Sequence, residues 1–130
     1  MTFFTQSQYD KLIRNGEKKD QDHVPVVKLT IKGAGCTWLL TELDPYDPLC
    51  AFGLCDLGLG YPELGYVDLR ELAGLKLPGS LKVEADPDFA GRHAISVYAN
   101  AARECSAITE DEAVLQRAYF PARRLGYSPG

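Results

Sequence analysis

In Val26-Val27-Lys28-Leu29-Thr30-Ile31-Lys32 the apolar Val27, Leu29 and Ile31 alternate with Val26, Lys28, Thr30 and Lys32, which is the period-two pattern of a half-buried strand. Ahead of it, Tyr9, Leu12 and Ile13 recur at helical spacing. Thr5-Gln6-Ser7-Gln8 reads as a capping box and Gly16 as a stop, so a short helix is expected over about 6 to 15. Gly33-Ala34-Gly35 suits a tight turn, and Cys36 to Leu43 then returns as a second strand, closed by Asp44-Pro45-Tyr46-Asp47-Pro48. Leu49 to Leu57 is nearly all apolar, as in a strand covered on both sides or packed hard against helices. Leu64 to Val67 is a fourth, short strand. Asp68, with Glu71 three positions on, is the N-cap of a single-turn helix.

Farther on, Leu81-Lys82-Val83-Glu84-Ala85 reads as a fifth strand at an edge, because its charges resist pairing with a neighbour. Ile95, Tyr98, Ala99 and Ala102 share one helical face, which places a helix over about 93 to 104. Thr109-Glu110-Asp111-Glu112 resembles another capping box, opening a helix that carries Val114, Leu115 and Ala118 as far as Pro121. That helix has an apolar face to bury, and docking on its own core is expected, with a dimer contact as the alternative. The tail Pro121 to Gly130 offers little to pack and is expected to be mobile. The pattern predicts an α+β class: an antiparallel sheet of four or five strands with N-terminal and C-terminal helices packed on it, the four consecutive strands forming a meander and helices lying against one face.

Charge changes this picture at one place. Between Lys32 and Arg70 there is no lysine or arginine, while Glu42, Asp44, Asp47, Asp56, Glu63 and Asp68 give residues 33 to 69 a formal charge of -6 in a chain whose total is -4. The remainder is therefore net positive, and an acidic face limits which partners can approach. A chain of 130 residues with 45% apolar and 25% charged residues has the length and balance of one ordinary globular domain. No run reaches the ~18 apolar residues of a membrane span. The N-terminus lacks the basic start and long apolar stretch of a secretory signal, so a cytoplasmic location with reduced thiols is expected.

The block from Trp38 through Thr41-Glu42, Phe52-Gly53-Leu54, Gly58 and Glu63-Leu64-Gly65-Tyr66-Val67-Asp68-Leu69-Arg70-Glu71-Leu72 resembles the signature of a small bacterial family known as domain of unknown function 2958. The likeness continues through Leu81-Lys82-Val83-Glu84, Asp86 and Phe89 into Ser96 to Ala102, covering about residues 5 to 103. The resemblance implies a setting beside plasmid and mobile-element genes. It supplies no catalytic or binding residue. It divides the single domain into a family-like core, 1 to 104, and an added helix and tail, 105 to 130.

Candidate chemistry is sparse. The four cysteines, Cys36, Cys50, Cys55 and Cys105, lack the tight paired spacing of a zinc knuckle, so buried reduced thiols are expected, with zinc held by some of them and His23 or His93 as the alternative. Neither histidine accompanies a recognisable nucleophile signature. Asp44-x-x-Asp47 lacks the acids and glycine of a calcium loop. Gly58-x-Gly60 is followed by Tyr61-Pro62 and not by a helix that would present amides to phosphate. No metal or cofactor is implied.

The acidic block also holds Trp38, Tyr46, Phe52, Tyr61 and Tyr66, and rings beside carboxylates are a common composition of protein interfaces. Trp38 and Phe52 are expected in the core; Tyr46 and Tyr61, in loops, are the expected contacts. The leading expectation is a non-enzymatic binding or adaptor protein whose acidic aromatic face, Glu42, Asp44, Tyr46, Asp47, Asp56, Tyr61 and Glu63, meets a basic surface of another protein. An anti-restriction or anti-CRISPR role is one version. The alternative is an enzyme using Asp44, Asp56 or Glu63 as acid or base. A pI near 5.1 and the lack of a basic stripe oppose direct nucleic-acid binding, Arg117, Arg123 and Arg124 being the only small cationic end. A monomer or weak homodimer, with no membrane contact, completes the expectation.

Overall fold

The computed structural model describes the backbone of residues 3–127 and side chains as far as Tyr119. Helix α1 (Gln6–Gly16) starts at the expected capping box: Thr5 Oγ1 accepts from the Gln8 amide at 3.1 Å, and Gln8 Oε1 accepts from the Thr5 amide at 2.9 Å. Four strands follow as a meander, β1 (Val27–Ile31), β2 (Cys36–Asp44), β3 (Asp47–Asp56) and β4 (Glu63–Asp68). Asp68 then caps α2 (Leu69–Ala73), accepting from the Arg70 amide at 2.9 Å. A short β5 (Val83–Ala85) returns to pair with β1, and the antiparallel sheet has the order β4-β3-β2-β1-β5. The C-terminal layer is α3 (Ile95–Cys105) and α4 (Glu112–Tyr127).

Helices cover both faces, not one. Val27, Leu29, Ile31, Trp38, Leu40, Leu43, Ala51 and Val67 pack on Leu12 of α1 and Leu69 and Leu72 of α2. On the opposite face, Leu39 and Leu54 lie under Ile95, Tyr98, Ala99 and Ala102 of α3 and Leu115 and Ala118 of α4. β3 has residues in both covered faces and reads as a continuous apolar run, whereas β1 leaves Lys28 and Thr30 half-exposed and alternates.

Strand β2 outruns β1, since their pairing ends at Val27 opposite Leu40. The open edge beyond Leu40 is closed by the end of α1. Asn15 Nδ2 donates to the Thr41 carbonyl at 2.9 Å, and Gly16 lies so close that a Cβ there would fall 1.8 Å from the Leu43 carbonyl oxygen. The segment after α1 then passes to the other face, where the His23 carbonyl accepts from the Ile95 amide and Asp22 accepts from Ser96.

The last helix departs from expectation twice. Asp111, not Thr109, caps it, with Oδ1 accepting from the amides of Ala113 and Val114 at 2.9 and 3.4 Å, so α4 starts at Glu112. The Thr109 hydroxyl instead accepts from the Asp111 amide. The helical backbone also continues through Pro121 to Tyr127, although proline there removes one intrahelical donor. Leu115 and Ala118 are buried, so the helix docks on its own core, as expected. The expected mobile tail lies largely outside the described residues, which give its backbone only as far as Tyr127 and none of its side chains. No helix among the described residues is long and apolar enough to cross a membrane.

Candidate functional site

Residues paired across antiparallel strands share a face, so the register decides which candidate residues meet. Glu42 opposes Phe52 and Phe52 opposes Tyr66, which sets the three in one row on the α3 face. Leu54 opposes Leu64 in the row beside it. Helix α3 covers Leu39 and Leu54 but stops short of β4. Tyr66 is therefore 73% exposed, Leu64 is exposed, and the two rings of Phe52 and Tyr66 stand edge to face with centroids 5.1 Å apart. In the loop after β3, Leu59 and Tyr61 are 71% and 78% exposed, and Leu57 is exposed as well. Bare apolar surface thus runs along the β3–β4 end of the sheet.

The carboxylates divide between the two ends of β3. Asp44 and Asp47 sit at the β2–β3 turn, where Asp44 Oδ1 accepts from the Tyr46 amide at 2.9 Å and Tyr46 projects almost fully into solvent. Asp68 joins them, because it pairs with Cys50, whose thiol is pushed up by burial and then by Asp47, Asp44 and Asp68. Glu63 and Tyr61 lie at the other end of the strand, with Glu63 opposite Cys55. Tyr46, Asp47, Tyr61 and Glu63 are exposed and Asp44 half so; two of the seven candidates leave the expected surface altogether.

Asp56 is one of them, at 4% exposure. Its Oδ1 accepts from the Gly58 amide and its Oδ2 from the Ile108 amide, both at 2.9 Å, so it fastens the end of β3 to the segment leading into α4. Glu42 is the other. A register shift falls between Leu40 and Glu42, and the Glu42 side chain is buried, with Lys19 lining the same cleft. Burial raises its pKa, against the opposing pull of His23 and Lys19.

Among the described residues, no pocket gathers three of these acids. The cleft that holds Glu42 and Asp44, with Lys19, Cys50, Phe52 and Tyr66, measures about 30 Å³, room for a water and far below the several hundred Å³ of a substrate pocket. A pocket of about 210 Å³ beside α1, lined by Phe3, Phe4, Tyr9, Pro48, Leu49 and Leu69, contains no carboxylate. A broader groove, about 570 Å³ over β1, holds none of the acidic aromatic face, and its Lys28 is already ion-paired with Asp86 and Glu110.

Contrary to the expectation of buried thiols, Cys36, Cys50 and Cys55 are half-buried and Cys105 is exposed. Burial pushes Cys55 up to about 11, with Glu63 adding to it, and raises Cys36, with Asp56 adding to it. All four cysteines are free, and among the described residues no three His, Cys, Asp or Glu side chains gather as a metal would require. Of the basic end, Arg117 is paired with Glu104 at 3.0 Å; the side chains of Arg123 and Arg124 lie outside the described residues.

Sequence reasoning missed Leu57, Leu59, Leu64 and Tyr66 as surface residues. The available signal was Leu64-x-Tyr66 at period two in the last strand of a meander, a strand that has a neighbour on one side only.

No curated protein and no solved structure matches the chain. The family model described as "Protein of unknown function (DUF2958)" matches residues 3–109, which takes in the whole sheet and α3 and ends before α4. The chain belongs to the DUF2958 family.

Proposed function

We propose that the protein is a non-enzymatic binding or adaptor module, and that it meets a basic protein partner through the β3–β4 end of its sheet. The observation that carries this reading is the bare strip of Leu57, Leu59, Tyr61, Leu64 and Tyr66 bordered by Glu63 at one end and Asp44 and Asp47 at the other. Exposed rings and leucines rimmed by charge are the usual composition of a contact surface. Glu42 and Asp56 drop out of the face, and Leu57, Leu59, Leu64 and Tyr66 join it. The acids steer and the apolar strip holds.

The mobile-element setting comes with the family resemblance, and an anti-defence role is the version of this reading in which the strip covers the nucleic-acid-binding surface of a restriction or CRISPR complex. A net charge of -4 is mild for a DNA mimic, so rings and leucines carry more of that contact than charge does.

Capture experiments test the reading with three baits: the full chain, the chain carrying Tyr66→Ala and Leu64→Ser, and the chain carrying Asp44→Asn, Asp47→Asn and Glu63→Gln. Basic proteins retained by the first bait should be lost by the second and should dissociate at lower salt from the third. The same proteins held equally by all three baits at low and high salt would remove the proposal.

A further inference from the structure

The two edges of the sheet are built differently. β5 is three residues long and is flanked by Lys82, which pairs with its Glu84 at 3.6 Å, an arrangement that discourages another strand from joining. β4 is six residues long, and its interior, Leu64-Gly65-Tyr66-Val67, carries neither charge nor proline. Around Gly65 no heavy atom comes within 4 Å of where a Cβ would stand. β3 pairs with one side of β4 only, so alternate amides and carbonyls of β4 face outward, and among the described residues no strand receives them.

Charge indicates what would join. Of the nearby acids, Asp68 is bonded to Arg70 at 3.3 Å, while Asp44, Asp47 and Glu63 have no ion-pair partner among the described residues. A second copy of this chain would lay Glu63 and Asp68 of both chains along one seam, where like charges oppose pairing. A segment bearing lysine or arginine meets the opposite situation.

We propose that β4 is a docking edge to which an extended basic segment of a partner protein adds as a sixth strand, its apolar side chains lying on Leu64 and Tyr66 and its cations reaching Glu63 at one end and Asp44 and Asp47 at the other. This names the manner of binding for the function proposed above and rests on it. Main-chain bonds to the edge supply affinity, and alternate side chains supply selectivity.

The probe is a peptide alternating lysine with valine, as long as β4 and blocked at both ends, added to the full chain and followed by amide hydrogen exchange. Outward-facing amides of β4 should slow by about tenfold or more at saturating peptide. Only alternate amides of an added strand face the sheet. Methylating the peptide nitrogens of one alternate set should therefore abolish binding, and methylating the other set should leave it. The glutamate-valine analogue should not bind, and Tyr66→Ala should weaken the lysine peptide. If both methylated peptides bind like the parent while Tyr66→Ala still weakens them, strand addition is overturned and the contact surface stands. Failure of the lysine peptide to bind also overturns strand addition, and the broader reading falls only if the capture experiment fails too. A chain that is dimeric by light scattering, with its β4 amides already protected, would overturn the proposal in favour of a second copy.

Discussion

Both ends of β3 carry an aspartate, and the two are used in opposite ways. At its C-terminal end Asp56 is buried and accepts two backbone amides, one from its own loop and one from residue 108. At its N-terminal end Asp47 is exposed, and its neighbour Asp44 does no more than fix a turn. The same residue type is structural where the chain doubles back over it and available to a partner where the chain turns away. Proximity in sequence to other acids has no bearing on which use it takes.

Four variants test that contrast. Trp38 stands opposite Cys55, next to the Asp56 end, with both sheet and helix against it. Trp38→Ala should lower stability by about 3 to 5 kcal/mol through the cavity it leaves, read from chemical denaturation. Asp56→Ala should cost about 2 to 3 kcal/mol, since it strands two amides in a part-buried place. The loss should show first as faster hydrogen exchange at Gly58 and Ile108. A melting curve like the parent's would mean that Asp56 is no clamp.

At the other end the sign reverses. The Glu42 pKa is raised above its usual 4.5 by burial, so the protonated form is the one that the fold favours. The stability this contributes is fully present below pH 4.5 and is lost as pH rises through the folded-state value. Glu42→Gln should accordingly be more stable than the parent at pH 7, and the two should converge in acid. A variant less stable than the parent at pH 7 would show that Lys19 and His23 outweigh desolvation. Smallest of all, Asp44→Asn, Asp47→Asn and Glu63→Gln together should move stability by no more than about 0.5 kcal/mol while changing the salt dependence of binding.

What was legible in the sequence is what neighbours along the chain decide. Thr5 with Gln8, Asp68 as the N-cap of α2, and the alternation of Val27, Leu29 and Ile31 all act within four residues, and each reads correctly without knowledge of the rest. What was not legible depends on distant chain. Asp56 is buried because Ile108, 52 residues on, donates to it. Glu42 is buried where β2 shifts register and where Lys19 and His23 come near it, and neither feature leaves a local mark. Tyr66 is exposed because α3 ends its cover at Leu54. The capping motif at Thr109 misled because Asp111, two positions on, competes for the same role with its own carboxylate. The family resemblance located the chain's relatives but carried no site, so the candidate surface had to come from the register of β3 and β4.

The meander has a consequence for the order in which the molecule is made. Strands β1 to β4 pair in chain order, each with the next, so the first half of the polypeptide can zip together as it leaves the ribosome. The layer that seals Leu39 and Leu54 cannot. Its fasteners link Ser96 to Asp22 across 74 residues and Ile108 to Asp56 across 52. During synthesis the growing chain therefore passes through a stage in which one side of a finished sheet is greasy and uncovered, and that stage lasts until α3 emerges. A nascent chain halted near residue 90 would be the form most prone to stick to chaperones, and the completed protein retains at β4 a part of that bare side which α3 does not close.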